Sequence, residues 1–211
     1  MVNKILCATR NGIGGEIVEV QATFVRALPA FVITGLANNA IQESKQRIQS
    51  ALNHIDFTFP PLKIAVHLSP ADIAKSGSHF DLPIALLIAL QKQGINALEE
   101  EQKWFAFGEL GLDGAIRHSE SIYPLLLEIS LRYPHAKVIV PQEGENLFCH
   151  IPNLHLFYAS SLKQALEIMQ DLEAKSTLAP LPQKSLDFAS LNINGRDFYY
   201  AQDFENDFSE V

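Results

Sequence analysis

One segment joins a short apolar run to a longer one: Leu68-Ser69-Pro70-Ala71-Asp72-Ile73-Ala74-Lys75-Ser76-Gly77-Ser78-His79-Phe80-Asp81-Leu82-Pro83-Ile84-Ala85. The run before it, Ile64-Ala65-Val66-His67-Leu68, has the length and composition of a strand. The run after it, from about Asp81 to Gln91, predicts a long apolar helix with Pro83 in the first turn, where a missing amide hydrogen costs nothing. The segment is therefore expected to connect a strand, through a polar loop, to a helix.

The chain before this segment predicts a hairpin, a strand and a helix. Strands are expected at Ile5–Thr9 and Glu16–Arg26, and the glycines of residues 11–15 between them supply the backbone angles of a hairpin turn rather than a phosphate-binding loop, which would lead into a helix. Phe31-Val32-Ile33 predicts a short buried strand. Asn38 or Asn39 can then cap a helix whose apolar residues recur at helical spacing: Ile41, Ile48, Leu52 and Ile55.

The chain after this segment continues to alternate strands and helices. Strands are expected at Trp104–Leu110, 138–140 and 154–157, with a turn at Asp113-Gly114 and helices at Ile122–Leu131 and after the capping residue Ser161. This order indicates an α/β domain over residues 1–175. Residues 176–211, with Pro180, Pro182 and few aliphatic residues, are interpreted as a linker.

Composition limits the classes of function. The chain is 47% hydrophobic and carries a formal charge of −8, so nucleic acid can be held only by a local basic patch. Cys7 and Cys149 are far apart and lack metal-type spacing, which indicates reduced thiols and a cytoplasmic location. No apolar run has the features of a signal sequence or a membrane span, and no G-x-x-x-x-G-K-[ST] sequence is present to bind a nucleotide.

A second block, Phe107-Gly108-Glu109-Leu110-Gly111-Leu112-Asp113-Gly114, follows the first at a characteristic distance. Together with Phe31-Val32-Ile33-Thr34-Gly35-Leu36, the two blocks resemble the ComM/YifB family of magnesium-chelatase-related AAA+ proteins, and the resemblance runs from about Lys4 to Leu172. It implies a mixed-sheet α/β fold shared with the Lon protease domain and with domain 2 of ribosomal protein S5. It also implies a following AAA+ motor that binds ATP and magnesium, whereas the residues present are expected to hold no cofactor.

The Lon resemblance can be compared residue by residue. Lon-type peptidases use a serine activated by a lysine. Aligning residues 75–81 with the Lon pattern places His79 at the nucleophile position, and the second block places Tyr123 near the lysine position; no lysine occurs between Lys103 and Lys137. A one-residue shift offers Ser78 as nucleophile with His118 as base. Because the expected serine and lysine are absent, the residues present are predicted to be noncatalytic.

Several polar residues in the two blocks are candidates for functional importance: Asp72, Lys75, Gly77, Asp81, Gly108 and Glu109. Structural roles are expected for most of them. Asp72 would form Asx-type bonds in the loop, Asp81 would cap the following helix or pair with Lys75, and Glu109 would bind backbone amides. His67 is expected to be a core imidazole, and the dispersed histidines predict no metal site.

Three functions remain open. The first is a noncatalytic module that helps assemble a hexameric AAA+ ATPase of this family. The module would contact its own motor and neighbouring subunits, and the whole ATPase would remodel branched DNA during uptake and recombination. The others are a Lon-type serine peptidase and a chelatase-like role in metal insertion. Lys45 and Arg47, expected on one exposed helix face, are the candidate nucleic-acid contacts. Phe208-x-x-Val211 in the acidic tail resembles the lead-in to an AAA+ module, so a motor is expected beyond Val211.

Overall fold

A computed structural model describes residues 4–12, 14–92, 103–170, 176–178, 188–193 and 196–201. The chain opens with the expected hairpin: β1 (Lys4–Asn11) pairs antiparallel with β2 (Gly14–Val25). Gly12 adopts a φ of 62°, a conformation that glycine reaches without steric cost. Val18, Val20 and Ala22 point into the core, as their alternation with polar residues predicts. The hairpin interpretation of the glycine cluster is therefore confirmed.

Within the described ranges, β1 and β2 belong to one mixed sheet of eight strands. The remaining members are β3 (Ala30–Thr34), β4 (Lys63–Ser69), β5 (Trp104–Ala106), β8 (Lys137–Pro141), β9 (His155–Ala159) and β10 (Thr177–Leu178). The strand order is β10-β9-β8-β5-β1-β2-β4-β3. Strands β1, β5, β8 and β9 run parallel to one another, whereas β2 is antiparallel to both of its neighbours. The mixed α/β architecture expected from the sequence is confirmed.

Five helices accompany the sheet in the described part of the chain: α1 (Asn39–His54), α2 (Asp81–Lys92), α3 (Ile122–Arg132), α4 (Glu145–Phe148) and α5 (Leu162–Gln170). Every residue of α2 from Asp81 to Leu90 is buried, because the helix lies against α1, α5, β1 and β2. A helix that is apolar on all sides requires such surroundings. None of the described helices is both long and apolar enough to cross a membrane.

Two segments of the sheet differ from expectation. β3 lies at the edge of the sheet, where Ile33 is buried but Phe31 and Val32 are only half-buried. The single strand expected at Trp104–Leu110 is interrupted at Phe107 and Gly108, after which β6 (Glu109–Leu110) pairs with β7 (Ile116–Arg117) in a separate hairpin. The interruption occurs because the Gly108 amide and carbonyl bond His79 and Leu82 instead of a neighbouring strand.

The C-terminal part of the chain contains strands where a linker is expected. The chain divides into two compact units, Met1–Ala179 and Pro180–Val211. The first unit includes β10, which pairs with β9 beyond the expected boundary at residue 175. The second contains an antiparallel pair, β11 (Phe188–Ile193) and β12 (Arg196–Ala201). The tail from Gln202 to Val211, with its resemblance to an AAA+ lead-in, lies outside the described residues.

Candidate functional site around His79

His79 lies where the two sequence blocks meet. It belongs to the 3₁₀ turn Ser78–Phe80, which leads into α2, and its side chain is 1% exposed. Its ring packs beside the rings of Phe80 and Phe107, at centroid distances of 4.7 Å and 5.8 Å. Its carbonyl oxygen accepts a hydrogen bond of 3.1 Å from the Gly108 amide. The start of α2 and the end of β5 are thus held together at this residue.

A chain of hydrogen bonds runs from Ala8 through His79 to two serines at the start of α3. His79 Nε2 lies 2.9 Å from the Ala8 carbonyl oxygen, and Nδ1 lies 3.3 Å from Ser121 Oγ. Ser121 Oγ lies 2.9 Å from Ser119 Oγ. Because a carbonyl only accepts, Nε2 carries the ring hydrogen, so the Ser121 hydroxyl donates to Nδ1. The Ser119 hydroxyl then donates to Ser121.

This arrangement has the connectivity of a serine activated by a histidine, but its electrostatics oppose that use. Burial lowers the pKa of His79 to about 4, and the hydrogen bond to Ala8 only partly opposes the shift. A general base works best when its pKa lies near the operating pH. At neutral pH the His79 ring is uncharged and weakly basic, so its geometry favours a structural connection between β1 and α3.

Gly77 makes room for the imidazole. Its φ of +114° lies in a region that other residues rarely adopt, and a Cβ atom at this position would lie 2.5 Å from the His79 ring. Gly108 is similarly constrained, because a Cβ atom there would lie 2.5 Å from Ile116 Cγ2. Gly77 therefore allows close packing against His79, and Gly108 allows close packing against Ile116.

Asp81 forms the principal ion pair of the site. Its fully buried carboxylate accepts hydrogen bonds from Arg47 Nε at 2.7 Å and from Arg47 Nη2 at 3.1 Å, and from the Leu110 amide at 3.2 Å. Burial raises the pKa of Asp81 to about 6, opposed by Arg47 and Leu110. Asp81 thus joins α1, α2 and β6, rather than capping its own helix or pairing with Lys75 as expected. Glu109 adds negative charge near Arg47 instead of binding backbone amides as expected.

Lys75 is buried in the loop between β4 and the 3₁₀ turn. Its Nζ donates to the Pro70 carbonyl, and its backbone pairs with Leu36 and Asn38. Burial lowers the pKa of Lys75, while the nearby charge of Asp72 acts in the opposite direction. Asp72 itself is exposed, and the Asx-type bonds expected of it are not formed in the described structure. This lysine therefore holds the loop in shape.

The other expected peptidase residues are not assembled. Ser78 and His118 share no hydrogen bond within the described structure. The His118 ring packs edge-on to Phe148 at 5.2 Å, and its backbone amide donates to Glu143 at 2.9 Å. Tyr123 packs against the core in the first turn of α3. The shifted pair of nucleophile and base therefore has no geometric support.

Two further expectations about side-chain placement are wrong. Lys45 and Arg47 do not lie beside each other, because residues two apart point to different sides of a helix, and Arg47 is bound by Asp81. His67 is half-buried on the sheet face away from Ile64 and Val66, with Nδ1 3.0 Å from Thr34 Oγ1. The core histidine is His79.

Sequence reasoning missed three residues of the site: Ser119, Ser121 and Thr9. Thr9 Oγ1 accepts a hydrogen bond of 3.2 Å from the Ser76 amide. A signal for the serines was available, since Ser119-Glu120-Ser121 directly precedes an apolar helix and such residues favour helix starts.

In the described ranges, no group of three or more His, Cys, Asp and Glu side chains is placed to hold a metal ion.

Comparison with known proteins places these blocks in a family. The family model described as "Subunit ChlI of Mg-chelatase" matches residues 18–144, more than half of the chain. "Competence protein ComM" of Haemophilus influenzae is 27% identical over 186 residues, covering 88% of this chain and 35% of that protein. "Uncharacterized protein YifB" of Escherichia coli is 34% identical over 108 residues, covering 50% of this chain and 21% of that protein. An uncharacterized protein of Mycobacterium bovis is 34% identical over 135 residues, covering 63% and 26%.

The chain spans about a third or less of the length of these relatives. The matched region contains β4, the His79 turn, α2 and the β6–β7 hairpin, and so most residues of the site, whereas Ala8 and Thr9 of β1 lie before it. The chain belongs to the ChlI family of Mg-chelatase-related proteins, and its domain is of the type found in ComM and YifB.

Proposed function

We propose that this chain is a noncatalytic accessory domain of a longer AAA+ ATPase that assembles as a homo-hexamer and remodels branched DNA. The similarity to ComM carries the proposal: it covers 88% of this chain but only 35% of that relative, which leaves most of the longer protein for a motor. That relative is named a competence protein, which supports action during DNA uptake and recombination. ATP and magnesium are assigned to the motor, and neighbouring subunits and DNA are the partners.

The site around His79 supports a noncatalytic role for the residues present. The ring is buried, its Nε2 is engaged by Ala8, and its pKa of about 4 makes it a poor base at neutral pH. Its neighbours Asp81, Arg47 and Lys75 are engaged with one another or with backbone groups. The site instead joins β1, α1, α2, β6 and α3, as expected of a rigid platform.

The proposal is tested on the longer protein and on the 211-residue chain in parallel. We expect the longer protein to hydrolyse ATP, to be stimulated by a four-way DNA junction and to form hexamers by light scattering. The 211-residue chain should hydrolyse no ATP. Removal of residues 1–179 from the longer protein should weaken hexamer formation. If DNA does not stimulate ATP hydrolysis by the longer protein and that protein inserts magnesium into a porphyrin, the result would favour the chelatase alternative.

A Lon-like peptidase is the second candidate, and the contact between Ser121 and His79 is the observation that favours it. A fluorophosphonate probe would label a nucleophilic serine in the folded chain. We expect no labelling and no digestion of unfolded casein. Labelling that disappears in Ser121→Ala but persists in Ser78→Ala would establish a peptidase with Ser121 as nucleophile. The opposite pattern would identify Ser78 as the nucleophile.

A further inference from the structure

A cluster of cationic side chains lies at the end of the sheet opposite His79. Lys103 precedes β5, whereas Gly108 and its hydrogen bond to His79 follow β5, so the strand separates the two places. Because β5, β8 and β9 are parallel, their first residues lie side by side: Trp104 pairs with Lys137, and Lys137 pairs with His155. Residues distant in sequence thus form one surface, here called the β5–β8 patch: Lys103, Arg132, Tyr133, His135 and Lys137.

The β5–β8 patch is accessible and concave. Lys103, Arg132 and His135 are exposed, and Tyr133 and Lys137 are half-buried. Lys103 and residues 132–137 line a depression of about 340 Å³. Arg132 also pairs with Glu128 of α3 at 2.6 Å. Four cationic or ionisable groups thus surround one depression of a chain whose formal charge is −8.

Aromatic rings lie among these cations. Lys103 Nζ lies 4.5 Å from the centroid of the Tyr133 ring, and Lys137 Nζ lies 5.1 Å from the centroid of the Trp104 ring. The rings of His135 and His155 are 6.0 Å apart. Burial lowers the pKa of His155, and electrostatic interaction with His135 and Lys137 lowers it further. Cationic side chains thus lie beside the half-buried Tyr133 ring, whereas the Trp104 ring is only 8% exposed.

We infer that the β5–β8 patch binds single-stranded nucleic acid, with Lys103 and Lys137 on consecutive phosphates and the depression occupied by one nucleotide. Cationic grooves with aromatic surfaces are the common means of holding single strands, because the charges follow the backbone and the rings contact the bases. The choice of nucleic acid rests on the proposed action on DNA, whereas the location rests on the charge and shape of the patch. Lys45, the candidate that the sequence suggests, lies on α1 outside the patch.

The test measures binding of the 211-residue chain to a fluorescein-labelled single strand of about fifteen thymidines, a length within the site sizes of single-strand binding domains. Fluorescence anisotropy is recorded between about 50 and 250 mM KCl. Lys103→Ala/Lys137→Ala is expected to raise Kd at least about fivefold and to reduce the salt slope by about 1.4, roughly 0.7 for each phosphate of a single strand that is no longer neutralised. Lys103→Arg/Lys137→Arg should bind like the parent chain.

The matched control, Lys45→Ala/Lys63→Ala, removes the same charge elsewhere and should change Kd less than about twofold, since neither lysine lines the depression. Unfolding midpoints verify that all variants fold. Equal weakening in the patch and control variants, or no binding by the parent chain, would overturn the inference. Poly-glutamate that competes as well as an unlabelled oligonucleotide of equal charge would assign the patch to an acidic protein instead.

The two proposals fail in different ways. If the longer protein responds to a four-way junction but the 211-residue chain binds no single strand, the patch assignment is wrong and the proposed function stands. If the chain binds through Lys103 and Lys137 but the longer protein shows no DNA-stimulated ATP hydrolysis, the proposed function is wrong and the patch assignment stands.

Discussion

Asp81 is a fully buried carboxylate whose ionised form depends on one guanidinium. Burial raises its pKa to about 6, and Arg47 is the largest influence in the opposite direction. Removing only the cationic partner of a buried ion pair leaves an uncompensated charge, which is more costly than replacing both partners. Arg47 is therefore expected to matter more for stability than its partial exposure suggests.

Arg47→Met is expected to lower the free energy of unfolding by about 3 kcal/mol at pH 8, because Asp81 would lose its cationic partner. The loss should be smaller at pH 5, where Asp81 takes up a proton in the folded variant. Urea unfolding at both pH values measures this loss of unfolding free energy. Lys45→Met, on the same helix, is the control, and its unfolding free energy should stay within about 0.5 kcal/mol of that of the parent chain. A loss that is equal at both pH values would show that the charge of Asp81 is not its cause.

His79 should make the chain less stable in acid. Its pKa is about 4 in the folded chain and 6.5 in the unfolded chain, so the folded state binds fewer protons in this range. The stability that it contributes is present above pH 6.5 and is lost as the pH falls through 4. The raised pKa of Asp81 has the opposite sign: its contribution is present below pH 3.8 and is lost as the pH rises through about 6.

Comparison with His79→Gln separates the two effects, because glutamine can still donate to Ala8 but does not titrate and Asp81 is present in both proteins. Between pH 6.5 and 4, the parent chain should lose about 3 kcal/mol more stability than the variant. Urea unfolding across this range provides the measurement. Parallel stability curves for the two proteins would show that the His79 ring is not buried in its neutral form.

At the scale of elements, α1 provides a matched test of helix capping. Two adjacent asparagines precede its first apolar residue, and the sequence does not decide between them. In the structure Asn38 is the cap, since its Oδ1 accepts a hydrogen bond of 3.1 Å from the Ile41 amide, whereas Asn39 is already helical. Both asparagines are exposed, so their substitution leaves the core intact.

Asn38→Ala is therefore expected to lower the free energy of unfolding by about 1 kcal/mol, the usual cost of losing a helix cap. Asn39→Ala, with nearly the same chemical change one residue later, should stay within about 0.5 kcal/mol of the parent chain. Thermal unfolding of the two variants side by side distinguishes them. A larger effect at Asn39 would place the start of α1 one residue later.

At the scale of the whole molecule, the boundary of the first unit can be tested by truncation. A chain ending at Ala179 keeps β10, whereas one ending at residue 175 loses β10 and the hydrogen bond of 3.0 Å between His155 Nδ1 and Ser176 Oγ. We expect the longer truncation product to unfold within about 2 °C of the 211-residue chain, and the shorter one several degrees lower, since about 1 kcal/mol shifts the midpoint of such a domain by 2–4 °C. Equal midpoints for the two products would return the boundary to residue 175.

Elements whose signals are local could be predicted from the amino-acid sequence. The alternation in β2, the glycine turn before it, the helical spacing in α1 and the apolar run of α2 depend on residues near one another in the chain, and all are confirmed. Asn194-Gly195, a strong hairpin signal between β11 and β12, is equally local, although composition favoured a linker there.

The pairing of polar groups, by contrast, depends on how the elements pack together. Lys75 and Asp81 are close in sequence, yet Asp81 pairs with Arg47, because α1 packs beside the start of α2. His79 likewise bonds to partners that are distant in sequence. Ala8 and Ser121 lie 71 and 42 residues away, and β1 and α3 bring them to the His79 ring. The β5–β8 patch also depends on strand order, which brings Lys103 and Lys137 side by side. Local sequence patterns record which face of an element is buried, whereas ion pairs and charged surfaces depend on the topology that brings separate elements together.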